Sequence, residues 1–227
     1  MLLQPVAEAA VRLDPAAMIR YAEEPGYREA QGRGVLTLLG HRLVSGGAFW
    51  DPAYGLPGAG DASVLAATYA DGEGRQFLHR VAYLTHDPDA AEDPATQQCR
   101  AVATILHELM LPAVRVETNG LGKFLPALLR RELARGGVAC TVIEHASTRA
   151  KDERILAALE PALAARRLHA HESVLRTPFP REMAQWRPGA TGLRDDALDA
   201  VAGCLLSDAV RLVHGVRPAR PPDWRGG

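Results

Sequence analysis

The chain reads as an α/β protein: a mixed sheet in which an antiparallel meander of three strands is followed by parallel strands, with helices packed on both faces. Three observations predict this. From Ala48 the apolar pattern is strand-like, in AFWD, SVLAATYA and QFLHRVAYLT, separated by the turn-rich segments GLPGAGD and DGEG. From PATQQCRAVATILHELML the period becomes helical, with Val102, Ile105, Leu106, Leu109 and Met110 on one face. Short strands then alternate with helices, and β-α-β crossovers favour parallel neighbours.

Taken in order, residues 1 to about 30 read as a mostly helical lead-in broken by Pro5, Pro15, Pro25 and Gly26, with a turn at EEPGY. GVLTLLG, from Gly34, is a candidate short strand, and Gly46-Gly47 a break. After the meander and first long helix come strand AVRVE, helix LGKFLPALLRRELARGG stopped by Gly136-Gly137, strand ACTVIEH and helix KDERILAALEPALAARR. LHAHESV is short and extended. A Pro-rich passage leads to a last helix from about Leu193 to Val213, and the tail VRPARPPDWRGG is expected to be disordered. The expected organisation is a lead-in or linker over 1–44, one domain over 45–214 and a tail over 215–227. The layout is that of an RNase H-like architecture.

At 227 residues, 47% hydrophobic and 23% charged, the composition is that of a soluble protein with room for one substantial core. No stretch approaches a bilayer span, and no basic segment precedes a long apolar run at the N-terminus, so neither membrane anchor nor signal peptide is expected. Cys99, Cys140 and Cys204 are odd in number and far apart, which suits free thiols in a cytoplasm. A net charge of −1 argues against a general polyanion binder. Basic residues nevertheless concentrate in LLRRELARGG, STRAKDERI and LAARRLHAH.

Three acidic positions stand where strands end or a helix begins: Asp51 in FWDPAYG, Glu117 in VRVETNG, and Asp195, Asp196 and Asp199 in LRDDALDA. Each alone has an ordinary explanation. Asp before Pro initiates turns, loop acids are solvated, and acids in a first helical turn answer the macrodipole. Together they suggest more. Asp196 and Asp199 share a helix face that continues into apolar residues, so it should turn toward the sheet. Inward carboxylates repel unless a cation neutralises them, and Mg²⁺ or Mn²⁺ prefers such oxygen ligands. Lys123, Arg149, Lys151 and Arg154 lie near the same sheet end and are candidate contacts for DNA phosphates. Arg130, Arg131 and Arg135 read as surface.

The strings DPAYG…GDASVLAATY, VETNGLGKFLPALLRREL, TRAKDERILAALEPALAARRLHAH and RDDALDAVAGCLL together resemble the nuclease domain of phage terminase large subunits, over about residues 45–213. The resemblance implies an RNase H-like fold, two Mg²⁺ or Mn²⁺ ions, and cleavage of concatemeric double-stranded viral DNA during packaging in the bacterial host cytoplasm. It implies Asp51 as first-strand metal ligand, Glu117 as second acid and Asp196 as last, with Asp195 and Asp199 beside it in an Asp-Asp-x-x-Asp pattern. Possible partners are a terminase ATPase domain, a small subunit and a portal. One departure is large: no P-loop is present. NGLGKF has Glu117 at the first glycine position and Phe124 where Ser or Thr should hold magnesium. The chain is thus an excised domain, a truncated prophage product or the partner of a separate motor, and should not hydrolyse ATP. The rival readings are a resolvase-type nuclease on branched DNA, using the same carboxylates, and a non-catalytic prophage remnant that docks DNA.

Other signals are weak. His169 and His171 share a strand face but lack the further ligands of a zinc site. Asp61 in GAGDAS fits a tight turn, and Gly58-Ala59-Gly60 lacks the third glycine of a dinucleotide loop.

Overall fold

The computed structural model describes residues 12–30, 33–53, 61–119, 123–190, 192–208, 210–212 and 214–215. After a 3₁₀ turn, the strands are β1 (Ile19–Tyr21), β2 (Gly26–Ala30), β3 (Arg33–Leu38), β4 (His41–Asp51), β5 (Ser63–Asp71), β6 (Gln76–Leu84), β7 (Ala113–Glu117), β8 (Thr141–His145), β9 (Leu168–His171) and β10 (His214–Gly215). The helices are α1 (Pro94–Glu108), α2 (Leu125–Arg135), α3 (Lys151–Ala164), α4 (Glu172–Leu175), α5 (Phe179–Gln185) and α6 (Asp196–Leu206).

β4, β5 and β6 form the antiparallel meander. β7 adds parallel to β4, and β8 parallel to β7. On the other side, β9 adds parallel to β6, and β1 parallel to β9. Side chains alternate across this sheet and supply two cores. Trp50, Leu65, Phe77, Val114 and Val116 pack under α1 and α2, joined by Val102, Leu106 and Leu129. Phe49, Val64, Ala66 and Leu78 pack under the other layer, joined by Ile155, Leu159, Phe179, Leu198 and Val201. β5 is buried nearly throughout and β4 mostly so from Ser45 onward, as strands covered on both faces must be.

Local chemistry explains the helix starts. Asp93 caps α1 by accepting from the Thr96 N–H at 2.9 Å, and Pro94 occupies the first turn, where a missing N–H costs nothing. α5 likewise begins Phe179-Pro180 and accommodates its proline in its first turn, which is how a helix arises in the Pro-rich passage.

Three expectations are corrected. The described lead-in is mainly strand rather than helix, because β1 finds an open sheet edge beside β9 and β2 pairs with β3. Gly46-Gly47 does not break a strand but lies inside β4. A Cβ on Gly46 would stand 2.9 Å from the Tyr69 ring, so glycine there permits close packing rather than a turn. α6 ends at Leu206, not Val213. The chain then returns along β4: Gly46 donates to Val210 O at 3.1 Å, Leu212 donates to Val44 O at 3.0 Å, and β10 pairs with β3. A strand edge that can pair captured residues that could also have continued the helix. Gly58-Ala59-Gly60 and the tail lie outside the described residues. No helix among the described residues is long and apolar enough to cross a membrane.

Candidate functional site

Asp51 closes β4 and Glu117 closes β7. These strands are parallel neighbours, paired through Trp50 and Val116, so the two acids follow side by side at their C-terminal ends. Phe49 belongs to the core under α6, and Asp51, two residues on, shares its face. Val114 and Val116 point to the opposite core, which turns Arg115 and Glu117 toward α6. α6 completes the group: one carboxylate oxygen each from Asp51, Glu117 and Asp199 lie within 4.8 Å of one another.

Such proximity is electrostatically costly. Burial first, then the neighbouring Glu117 and Asp199, push the Asp51 carboxyl up to about 8 against the pull of Lys151. Burial likewise pushes Asp199 up to about 6 against the pull of Arg154 and Lys151. Two cations offset part of the charge. Arg154, only 8% exposed, donates from Nη2 to Asp199 Oδ2 at 2.7 Å, and its Nη1 lies 3.7 Å from Glu117 Oε1. Lys151 Nζ donates to Asp195 Oδ1 at 2.6 Å and lies 3.9 Å from Asp199 Oδ2. Burial alone would lower the Lys151 pKa, but the bond to Asp195 and the nearby acids hold it raised.

The donor set fits a hard divalent cation. Glu117 Oε1 accepts from Asn119 at 2.8 Å, whereas buried Glu117 Oε2 has no hydrogen-bond partner. A buried carboxylate oxygen left without a donor is expensive, and an oxygen-seeking ion beside Asp51 and Asp199 would satisfy it.

The sequence expectations meet this geometry unevenly. Asp51 and Glu117 stand together as expected. The third carboxylate within 4.8 Å of both is that of Asp199; Asp196, expected to be the direct ligand, has its Oδ2 bonded to the Ala62 N–H at 3.0 Å and lies close enough to Asp51 to raise its pKa. Asp195 is engaged by Lys151. Arg154 and Lys151, expected on DNA phosphates, are ion-paired with the acids: Arg154 with Asp199 and Glu117, Lys151 with Asp195 and Asp199. Arg149 is exposed ahead of α3 and Lys123 exposed ahead of α2. His171 is buried, with its ring nitrogens against Ala22 O and Ser173. Asp61 is exposed before β5.

Sequence reasoning missed two contributors. Glu182, buried on α5, accepts from the Ala197 N–H at 3.1 Å and from the Tyr83 hydroxyl at 2.7 Å. Asp195, the residue at the α6 N-cap, makes no side-chain cap bond, so Glu182 takes over that role from another element. Nothing in REMAQW signals this. The second is Arg115, whose alternation with Glu117 along one strand could have placed it on the acidic face.

The order β6-β5-β4-β7-β8 puts the meander's first strand at the centre, adds the two parallel strands beside it and lays α6 across it. The fold is RNase H-like.

No family model matches the chain, and no curated protein matches it. Solved structures do. The nuclease domain of the large terminase subunit gp2 of bacterial virus Sf6 matches with TM-score 0.49 at 14% identity, over 73% of this chain and 89% of that one. Its K428A mutant with manganese matches with TM-score 0.46 at 13% identity, over 72% and 89%. T. thermophilus RuvC in complex with Holliday junction substrate matches with TM-score 0.38 at 14% identity, over 74% and 99%.

Proposed function

We propose that this protein is a metal-dependent endonuclease that cuts double-stranded DNA, in the manner of the terminase nuclease domains it resembles in sequence and fold, during packaging of a phage genome. The observation that carries this reading is the convergence of Asp51, Glu117 and Asp199, from three distant parts of the chain, at one end of the sheet. Asp51, Glu117 and Asp199 would hold Mg²⁺ or Mn²⁺. Asp196 and Asp195 stand beside Asp199 at the start of the same helix. A bound ion would lower the pKa of an attacking water and stabilise charge on the departing 3′-oxygen. The chain's own residues do the rest. The strand ends hold two carboxylates rigidly, α6 presents the third, and Arg154 keeps the acids together before an ion arrives.

The test is cleavage of plasmid and of linear duplex DNA with Mn²⁺ and then with EDTA, beside a four-way junction of equal length. Cutting of duplex that needs Mn²⁺ and disappears in Asp51→Asn supports the reading. Cutting confined to the junction would favour a resolvase, and cutting that persists in EDTA would contradict the metal chemistry. Absence of any cutting, with DNA still bound, would indicate a docking module.

A further inference from the structure

Next to the acids, on the far side of Arg154, a trough of about 330 Å³ opens on the exposed face of β7 and β8. Its walls carry Arg115 from β7, His145 from the end of β8, Ser147, Thr148 and Arg149 from the following loop, and Arg154 from α3. The floor is the C-terminal half of α6 from Gly203, with Asp208 beyond it. The lining is thus cationic and rich in hydroxyls, immediately beside a strongly anionic cluster.

Arg154 joins the two. It is nine-tenths buried, and Nη2 is committed to Asp199, yet Nε and Nη1 have no hydrogen-bond partner. A buried guanidinium with unsatisfied N–H groups at a cavity wall is a site awaiting acceptors, since leaving such donors empty is costly. Arg115 is oriented by one bond, from Nη2 to Asp208 O at 3.0 Å, and Arg149 is exposed at the rim. His145, at the end of β8, adds a ring nitrogen to the wall. Asp208 is the one acid in the lining, and its backbone carbonyl is what holds Arg115.

We propose that this trough seats a backbone phosphate of the DNA strand next to the one held at the acids, with Arg154 shared between the two positions. The inference rests on the nuclease reading for its choice of polyanion, but the seat itself requires no metal. It also replaces the expected division of labour: Arg149 keeps its phosphate role, Arg115 joins it, and Lys151 drops out.

Binding without cleavage tests it. The full chain in EDTA is titrated against a labelled 20-base-pair duplex between 50 and 200 mM KCl. Each phosphate neutralised contributes about −0.9 to the slope of log K against log salt. Arg149→Ala and Arg115→Ala are each expected to weaken binding severalfold and to reduce the slope by about 1. Arg131→Ala, on α2 on the other side of the sheet, should leave the slope unchanged. Mn²⁺ affinity measured calorimetrically should be the same in all four proteins. Because Arg149 is exposed, its variant reports even if loss of Arg115 disturbs folding. The proposal is overturned if neither variant changes the slope, if Arg131→Ala changes it equally, or if Mn²⁺ affinity falls along with DNA affinity. A protein that loses slope as expected yet never cuts DNA would retain the phosphate seat and refute the nuclease reading alone.

Discussion

Asp199 and Asp196 are three residues apart on one helix turn, and their carboxylates do different things. Asp199 joins Asp51 and Glu117, while Asp196 accepts a backbone N–H from the residue before β5. Asp199→Asn is therefore expected to weaken Mn²⁺ binding at least tenfold by calorimetry, and Asp196→Asn to weaken it far less. Equal losses would mean that both acids ligate. The raised carboxyls also set a pH dependence. Asp51 and Asp199 have folded-state pKa values pushed to about 8 and about 6, above their ordinary value, so the metal-free protein is favoured at low pH and loses that stability as pH rises through these values. A cation requires the deprotonated acids, so Mn²⁺ affinity moves the opposite way and rises between pH about 6 and about 8. Melting temperature without metal and Mn²⁺ affinity, followed across that window, should change in opposite directions, and Asp51→Asn should flatten both. A flat profile in the unmodified protein would contradict the clustering.

At the scale of the element, α6 matters most, because its roll and height decide which acid meets the strands. Two contacts set them. Glu182 caps the first turn from α5, and removing a cap of this kind costs about 0.5–2 kcal/mol. Glu182→Ala should lower the melting temperature and weaken Mn²⁺ binding, whereas Glu182→Gln, which keeps an acceptor for the Ala197 N–H, should recover most of both. Failure of glutamine to rescue would show that the charge, not the cap, is what α6 needs. Lower on the helix, Gly203 lies against Phe49, where a Cβ would meet ring carbons at 2.7 Å. Gly203→Ala gains about 1 kcal/mol of helix propensity but adds an overpacking cost of about 1–3 kcal/mol. A lower melting point together with weaker Mn²⁺ binding is expected, since lifting α6 also lifts Asp199. A more stable Gly203→Ala protein would mean that Phe49 yields easily.

For the whole molecule, three acids forced together and only partly offset by Arg154 and Lys151 imply that an ion acts as a staple between β4, β7 and α6. Saturating Mn²⁺ at about 100 times its dissociation constant should stabilise the fold by about 2.7 kcal/mol. In a chain of this size that is a rise of roughly 5–11 °C in melting temperature. EDTA should reverse it, and Asp199→Asn should remove it. An unchanged melting point with Mn²⁺ would show that the acids hold no ion.

The meander, the parallel additions and the acids at strand ends were legible in the sequence because strand alternation, helical periodicity and turn residues are local signals. AFWD, AVRVE and ACTVIEH announce their own ends, and LRDDALDA its own beginning. What required the tertiary structure was everything that depends on a partner distant in the chain. Sheet edges drew β1 and the segment after α6 into strands that their own residues do not demand. The placement of α6, to which Glu182 and Gly203 contribute, brought Asp199 within 4.8 Å of Asp51 and Glu117 while Asp196 bonds the Ala62 N–H, two residues separated by only about 60° on a helical wheel. Proximity to desolvated acids ion-paired Arg154 and Lys151 with Asp199, Glu117 and Asp195, contacts that spacing along the chain does not announce. Local sequence determines which acids exist and which elements carry them; only packing determines which of their oxygens meet.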